Sequence, residues 1–164
     1  MNLAKYPPVA ENLGRPLIFD SNLLLLKCCI DIDAGLIQGF KRLNKFLSSD
    51  VELMRDVLLL FPSIQTTPHG LTEVSNLSNQ LPSWMRPAWL RQFAAQIECI
   101  SEDWSPSVEI AKDESFWLGL TDAALCRLAT NHPILTIDFP LSNYLESRGL
   151  RVINFTHLRS LQLA

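Results

Sequence analysis

The sequence predicts an α/β fold: a central parallel sheet of about five strands flanked by helices. Two observations predict it. Short apolar runs alternate with longer segments whose apolar residues recur at helical spacing, a pattern that places helices over both faces of a parallel sheet. Composition agrees, because 164 residues that are 48% hydrophobic and 19% charged, with 10 Pro and 6 Gly, match one compact domain rather than a disordered or fibrous chain. A chain of this length buries roughly 70% of the surface its unfolded form exposes, so its core needs no disulfide staples.

The elements follow in order. Pro16-Leu-Ile-Phe-Asp20 is an apolar run ending in an acid, Ser21 is a predicted helix N-cap, and Leu23 to Ile30 is the helix body. Asp31-Ile-Asp-Ala-Gly35 breaks that helix. From Leu36 to Phe61 the spacing of Phe40, Leu43, Phe46, Leu47, Val51, Met54 and Leu58 predicts one or two helices. Pro62 to Thr67 is a second strand, and Leu71, Val74, Leu77 and Leu81 mark the helix after it. Beyond Pro82 and Pro87, the stripe Trp89, Leu90, Phe93, Ala94, Ile97 is helical and runs into a short candidate strand at Glu98-Cys-Ile100, after which Ser105-Pro106 opens another helix. Thr121 is read as the cap of a helix over 122–130. Asn131-His-Pro133 is a turn and Ile134 to Asp138 a strand. Pro140 is a helix N1 residue, Gly149 its C′ residue, and Leu150 to Asn154 the last strand.

The acids fall in a pattern. Asp20 and Asp138 end two strands, and Glu73 and Asp122 lie in the first turns of helices. Ligands of open parallel sheets sit beyond the carboxyl ends of the strands, so all four face one crevice. A first-turn acid is also favoured by the helix dipole, which explains each of them singly. Four together repel unless a cation lies between them, and a hard oxygen-seeking ion, Mg²⁺ or Mn²⁺, suits the set and the hydrolysis of phosphodiesters. Without that ion, at least one carboxyl is expected above its ordinary pKa.

These motifs, Leu-Ile-Phe-Asp20-Ser-Asn22, Thr72-Glu73-Val, Leu120-Thr-Asp122-Ala-Ala-Leu and Ile134-Leu-Thr136-Ile-Asp138, with the closing Gly149-Leu-Arg-Val-Ile, resemble a PIN-domain ribonuclease and are similar to the VapC-like toxins of toxin–antitoxin pairs. The resemblance spans about residues 17–155 of a single PIN-like domain over 1–164, and implies a three-layer fold. It implies a metal-dependent endoribonuclease with Asp20, Glu73, Asp122 and Asp138 as metal ligands, and Asn22 and Thr136 orienting a carboxylate or a coordinated water. It further implies an RNA substrate, an antitoxin covering the acidic crevice, and self-association. The alternative is a PIN fold acting as a protein-interaction module with weak or no catalysis. The chain departs from the compact toxins in two ways, a longer region 31–61 and the Pro- and Trp-containing segment 80–89.

The formal net charge of −3 argues against passive nucleic-acid binding. Setting the four site acids aside leaves 13 acidic against 14 basic residues, so the remaining surface is not acidic. Lys41, Arg42 and Lys45 are the densest basic cluster, with Arg86 and Arg91 a second, and either contacts phosphates or forms a solvated face. His69, His132 and His157 lack metal-ligand spacing, although His69 lies close to Glu73. Trp84, Trp89, Trp104 and Trp117 are read as core or subunit-interface residues rather than base-stacking platforms. Asp31 and Asp33 are read as exposed acids at a helix break, and Ser21 has no partner His for nucleophilic chemistry. A dinucleotide-binding glycine motif and a P-loop are both absent. Cys28, Cys29, Cys99 and Cys126 have no zinc spacing and are read as buried thiols of a reducing compartment. No signal or membrane-spanning run is apparent, which predicts a cytoplasmic location.

Overall fold

The computed structural model describes residues 3–162. Its elements are α1 (Pro7–Ala10), β1 (Leu17–Phe19), α2 (Ser21–Ile32), α3 (Ser48–Leu58), β2 (Ile64–Thr66), α4 (Pro68–Leu77), α5 (Arg86–Ile97), β3 (Ser101–Glu102), α6 (Ser107–Ile110), α7 (Leu120–Leu128), β4 (Ile134–Thr136), α8 (Phe139–Ser147), β5 (Val152–Asn154) and α9 (Phe155–Gln162). The five strands form one sheet in the order β3-β2-β1-β4-β5, every pair parallel. The α/β class with a five-stranded parallel sheet is therefore as the sequence predicts.

Period-two alternation builds the layers. Leu17 and Phe19 of β1 point into a large cluster with Leu23, Leu26, Val74 and Trp89, while Ile18 between them packs with Leu125, Ile134, Leu141 and Leu145. One apolar strand thus feeds cores on opposite faces. Strands β1 and β4, in the middle of the sheet, are buried at every position, whereas both residues of the edge strand β3 are exposed.

The chain steps outward from β1 to β2 to β3 and then returns to the far side of β1 for β4 and β5. The carboxyl ends of β1 and β4 consequently flank the point where the winding reverses, where open α/β sheets hold their ligands. Asp20 and Asp138 are the residues that leave this end.

Several local expectations are corrected. Asp20, not Ser21, caps α2, its carboxylate accepting the Leu23 N–H at 2.8 Å; both residue types cap well and stand adjacent. The first half of region 36–61 is not α-helical: Ala34–Gly39 and Lys41–Leu43 are 3₁₀ turns, consistent with two glycines that disfavour a longer helix. The strand placed at Glu98–Ile100 lies at Ser101–Glu102, because α5 continues to Ile97 and Glu98 caps it. Pro106 caps α6 rather than opening it, and Asp138 caps α8, which puts Pro140 second in that helix. Thr121 is no cap: α7 starts at Leu120 after Gly119, whose φ of 106° and ψ of 163° only glycine adopts readily.

Helices α1 and α9 are not among the elements read from the sequence, although Phe155, Leu158 and Leu161 recur at helical spacing in α9. The second is clamped to α3 by Arg159, whose Nε and guanidinium donate to the buried Asp50 carboxylate at 2.6 and 2.9 Å. Cys28, Cys29 and Cys126 are buried, with burial pushing each thiol up to about 12, but Cys99, beyond the end of α5, is exposed. Of the tryptophans only Trp89 is in the core, stacked on Phe93; Trp84, Trp104 and Trp117 are 77%, 71% and 68% exposed on the single chain, so of the core-or-interface expectation the core part fails for these three. Among the described residues no helix is long and apolar enough to cross a membrane.

Candidate active site

Asp20 is the first residue after β1, held at 2% exposure. Its Oδ1 accepts from the Leu23 N–H, and its Oδ2 accepts from the Thr136 hydroxyl at 2.6 Å and the Ile137 N–H at 2.9 Å. Burial raises its pKa, these three bonds oppose the rise, and the charge of Asp138 adds to it. The Thr136 hydroxyl in turn accepts the Asp138 N–H at 2.9 Å. Asp138 caps α8 through Oδ1, which takes the Leu141 N–H at 2.9 Å. One threonine therefore couples the two strand-end aspartates, and Thr136 has the carboxylate-orienting position expected of it.

Thr136→Val keeps the shape and leaves the Asp138 N–H without that acceptor. The expected cost is about 1–3 kcal/mol in urea unfolding, with Thr136→Ser recovering most of it; a neutral Thr136→Val would remove the coupling role.

Glu73 projects from the second turn of α4, not the first turn expected of it, because that helix already begins at Pro68; Asp122 projects from the first turn of α7, and with Asp20, Asp138, Asn22 and Arg42 they line one open cavity of about 260 Å³. The cavity wall is completed by the turn at Gly119 that aims α7 at it. Glu73 is engaged at both oxygens. Arg42 donates to Oε1 at 2.7 Å and the Ser21 hydroxyl to Oε2 at 2.8 Å. Asp122 accepts no hydrogen bond at its carboxyl from the described residues. Its carboxyl is pushed up to about 7, first by burial and then by the charges of Asp138, Asp20 and Glu73. Burial is the larger cause at both Asp122 and Asp20, and neighbouring carboxylate charge adds to it at each.

The all-carboxylate donor set fits a hard divalent cation in kind. Asp20 Oδ1 and Asp138 Oδ1 each accept a single hydrogen bond and retain a lone pair. Among the described residues no three His, Cys, Asp or Glu side chains stand ready as a ligand set. Arg42 and Ser21 each donate to one Glu73 oxygen, and Thr136 and Ile137 share the second oxygen of Asp20.

Of the five basic residues singled out in the sequence, Arg42 alone lines the cavity. The Lys41 N–H binds Gln80 Oε1, Lys45 lies over the Phe46 ring, Arg86 donates to the Ser78 hydroxyl at 3.1 Å, and Arg91 is exposed on α5. His69 faces away to Ser107, with 3.2 Å between Nε2 and Oγ. Asp31 pairs with Lys27 at 2.7 Å and Asp33 accepts the Gly35 N–H, so both have structural partners outside the cavity. Ser21 is the residue that sequence reasoning missed. Its position next to Asp20 hinted at capping, whereas its contact is with a residue 52 positions away. No family model, curated protein or solved structure matches the chain, so the four acids, their coupling threonine and the arginine among them are what speak for its chemistry.

Proposed function

We propose that this chain is a PIN-type, divalent-cation-dependent endoribonuclease. One observation carries the reading: four carboxylates from separate segments line one cavity at the switch point of the sheet, where burial, with the neighbouring carboxylates adding to it, pushes the Asp122 carboxyl up to about 7. Carboxylates crowded in this way are a costly arrangement for stability alone, which favours a functional origin. Asp20, Glu73, Asp122 and Asp138 would hold Mg²⁺ or Mn²⁺. When bound, such an ion supplies an activated water and neutralises charge on the transferring phosphoryl group.

The chain's own residues do the rest. Thr136 and the Ile137 N–H fix the Asp20 carboxylate, the α8 N-terminus fixes Asp138, and Ser21 steers Glu73. Arg42 stands at the cavity with its side chain 46% exposed, within reach of an incoming phosphate. RNA as substrate, an antitoxin laid over the crevice, a homodimer and a cytoplasmic location belong to the same reading. A silent interaction module is the second reading, and what favours it is the engagement of Glu73 by Arg42 in place of an open ligand set.

Purified protein incubated with single-stranded RNA decides between them. Cleavage with Mg²⁺ or Mn²⁺ that stops on adding chelator is the expected result. Cleavage undiminished by chelator removes the cation from the chemistry, and no cleavage under any cation leaves the interaction module.

A further inference from the structure

The contact between Arg42 and Glu73 joins two parts of the chain that have no local reason to meet. Arg42 sits on the 3₁₀ turn Lys41–Leu43, within the long region between α2 and α3, and Glu73 sits on α4. That turn is rigidly seated. Phe40 and Leu43 are fully buried on either side of Lys41 and Arg42, and the Lys41 N–H donates to Gln80 Oε1 at 2.9 Å. Just before it, Gly39 packs so closely on Leu81 that an added Cβ would lie 2.9 Å from the leucine Cδ2. Leu81 follows directly on the 3₁₀ turn that ends α4. The long region is thus docked against the helix that carries Glu73, and the guanidinium is delivered into the acidic cavity by the backbone.

Resting on the nuclease reading above, we propose that Arg42 is a built-in counter-cation that holds Glu73 away from the other three acids until a divalent ion displaces it. A guanidinium cannot lose its proton under physiological conditions, so this counter-charge is present at every working pH. It neutralises one carboxylate of a crowded set, and the Ser21 hydroxyl fixes the other oxygen of the same group. A cation approaching Glu73 Oε1 meets the guanidinium charge and competes with the 2.7 Å bond from Arg42. The bond is at the cavity mouth and the arginine is partly solvated, so its release needs only side-chain rotation while the seated turn stays in place. Arg42 is in this sense a positioning residue that sets the affinity of the site for the ion, and it gives the long region between α2 and α3 a function.

Isothermal titration of Mn²⁺ into the chelator-stripped full chain tests this, comparing the parent with Arg42→Met, Arg42→Lys and Lys41→Met. Arg42→Met is expected to bind Mn²⁺ about 10-fold more tightly, the order of effect of a partly solvated charge-assisted hydrogen bond. Arg42→Lys keeps the charge and should stay within about 3-fold of the parent, as should Lys41→Met, which removes an equal charge one residue away but outside the cavity. Binding by Arg42→Met alone, with none by the parent, would support the counter-cation in its strongest form. Parent and Arg42→Met binding equally, or Arg42→Met binding more weakly, overturns the proposal and leaves the nuclease reading in place. An equal gain in Arg42→Met and Lys41→Met also overturns it, because the effect would then be the general field of the surface. Should neither parent nor Arg42→Met bind, both the counter-cation and the cation-dependent reading fall.

Discussion

Asp138→Asn is expected to lower RNA cleavage at least ~100-fold, the loss seen when a preorganised electrostatic group is removed from a reacting centre. The substitution isolates charge from shape. Asparagine caps a helix as well as aspartate does, so the bond from the Leu141 N–H to the side-chain oxygen survives and α8 keeps its start. Asp20→Asn should be equally inactive but is a poorer probe, because a buried amide would set its NH₂ group against donors from Thr136 and Ile137. Asp31→Asn and Asp33→Asn are the matched controls. Asp31 loses charge toward Lys27, and Asp33 retains its bond to the Gly35 N–H, so neither should change the cleavage rate by more than about 2-fold, less than the effect of 1 kcal/mol. A fluorogenic RNA assay reads all four. Activity of Asp138→Asn within a few-fold of the parent, or a large loss in Asp31→Asn, would move the site elsewhere.

Asp122→Asn is expected to raise the melting temperature measured in chelator at pH 8. A carboxyl pushed up to about 7 in the folded chain and near 3.8 when unfolded binds its proton more tightly in the folded state. Stability is therefore greatest below about pH 4 and is lost as pH rises through 7. The ionised form costs up to about 4 kcal/mol by the linkage relation, and screening in a partly solvated cavity brings this to about 1–2 kcal/mol. Opposing it, an acid in the first turn of α7 gains only ~0.3–1 kcal/mol from the helix dipole, so repulsion and burial win. For a chain of this size the net gain corresponds to roughly 2–6 °C, vanishing toward pH 4. Mn²⁺ should stabilise the parent by mass action and Asp122→Asn by less. The assignment of repulsion to Asp122 fails if Asp122→Asn melts lower than the parent at pH 8 in chelator, or if both show the same pH profile.

The legible part of the site is the part written in local pattern. An apolar run of strand length followed by an acid marks the strand ends at Asp20 and Asp138, and an acid close to a helix start marks Glu73 and Asp122, although only Asp122 lies in a first turn. Local pattern misplaces the caps by one or two residues at Ser21, Thr121 and Pro140, because Ser, Thr, Asp and Gly all begin helices and their competition is settled by backbone geometry. Trp84, Trp104 and Trp117 lie outside the core for a related reason. Aromatic residues predict burial only on average, and the loops carrying Trp84 and Trp104 and the 3₁₀ turn carrying Trp117 turn their rings outward.

Sequence alone determined the α/β class, the number of strands and the acids that follow β1 and β4, since these follow from interactions among neighbours a few positions apart. Only the tertiary structure decided what those residues meet. The order β3-β2-β1-β4-β5 puts β4 beside β1 and so brings Asp138 to Asp20 through the Thr136 hydroxyl, across 116 residues of chain. The docking of Gly39 on Leu81 brings Arg42 to Glu73, a pairing that no periodicity encodes. Hydrophobic period and capping act within one or two turns of chain, whereas the encounter of charges depends on which elements share a packed boundary, and that is settled only when the whole core condenses.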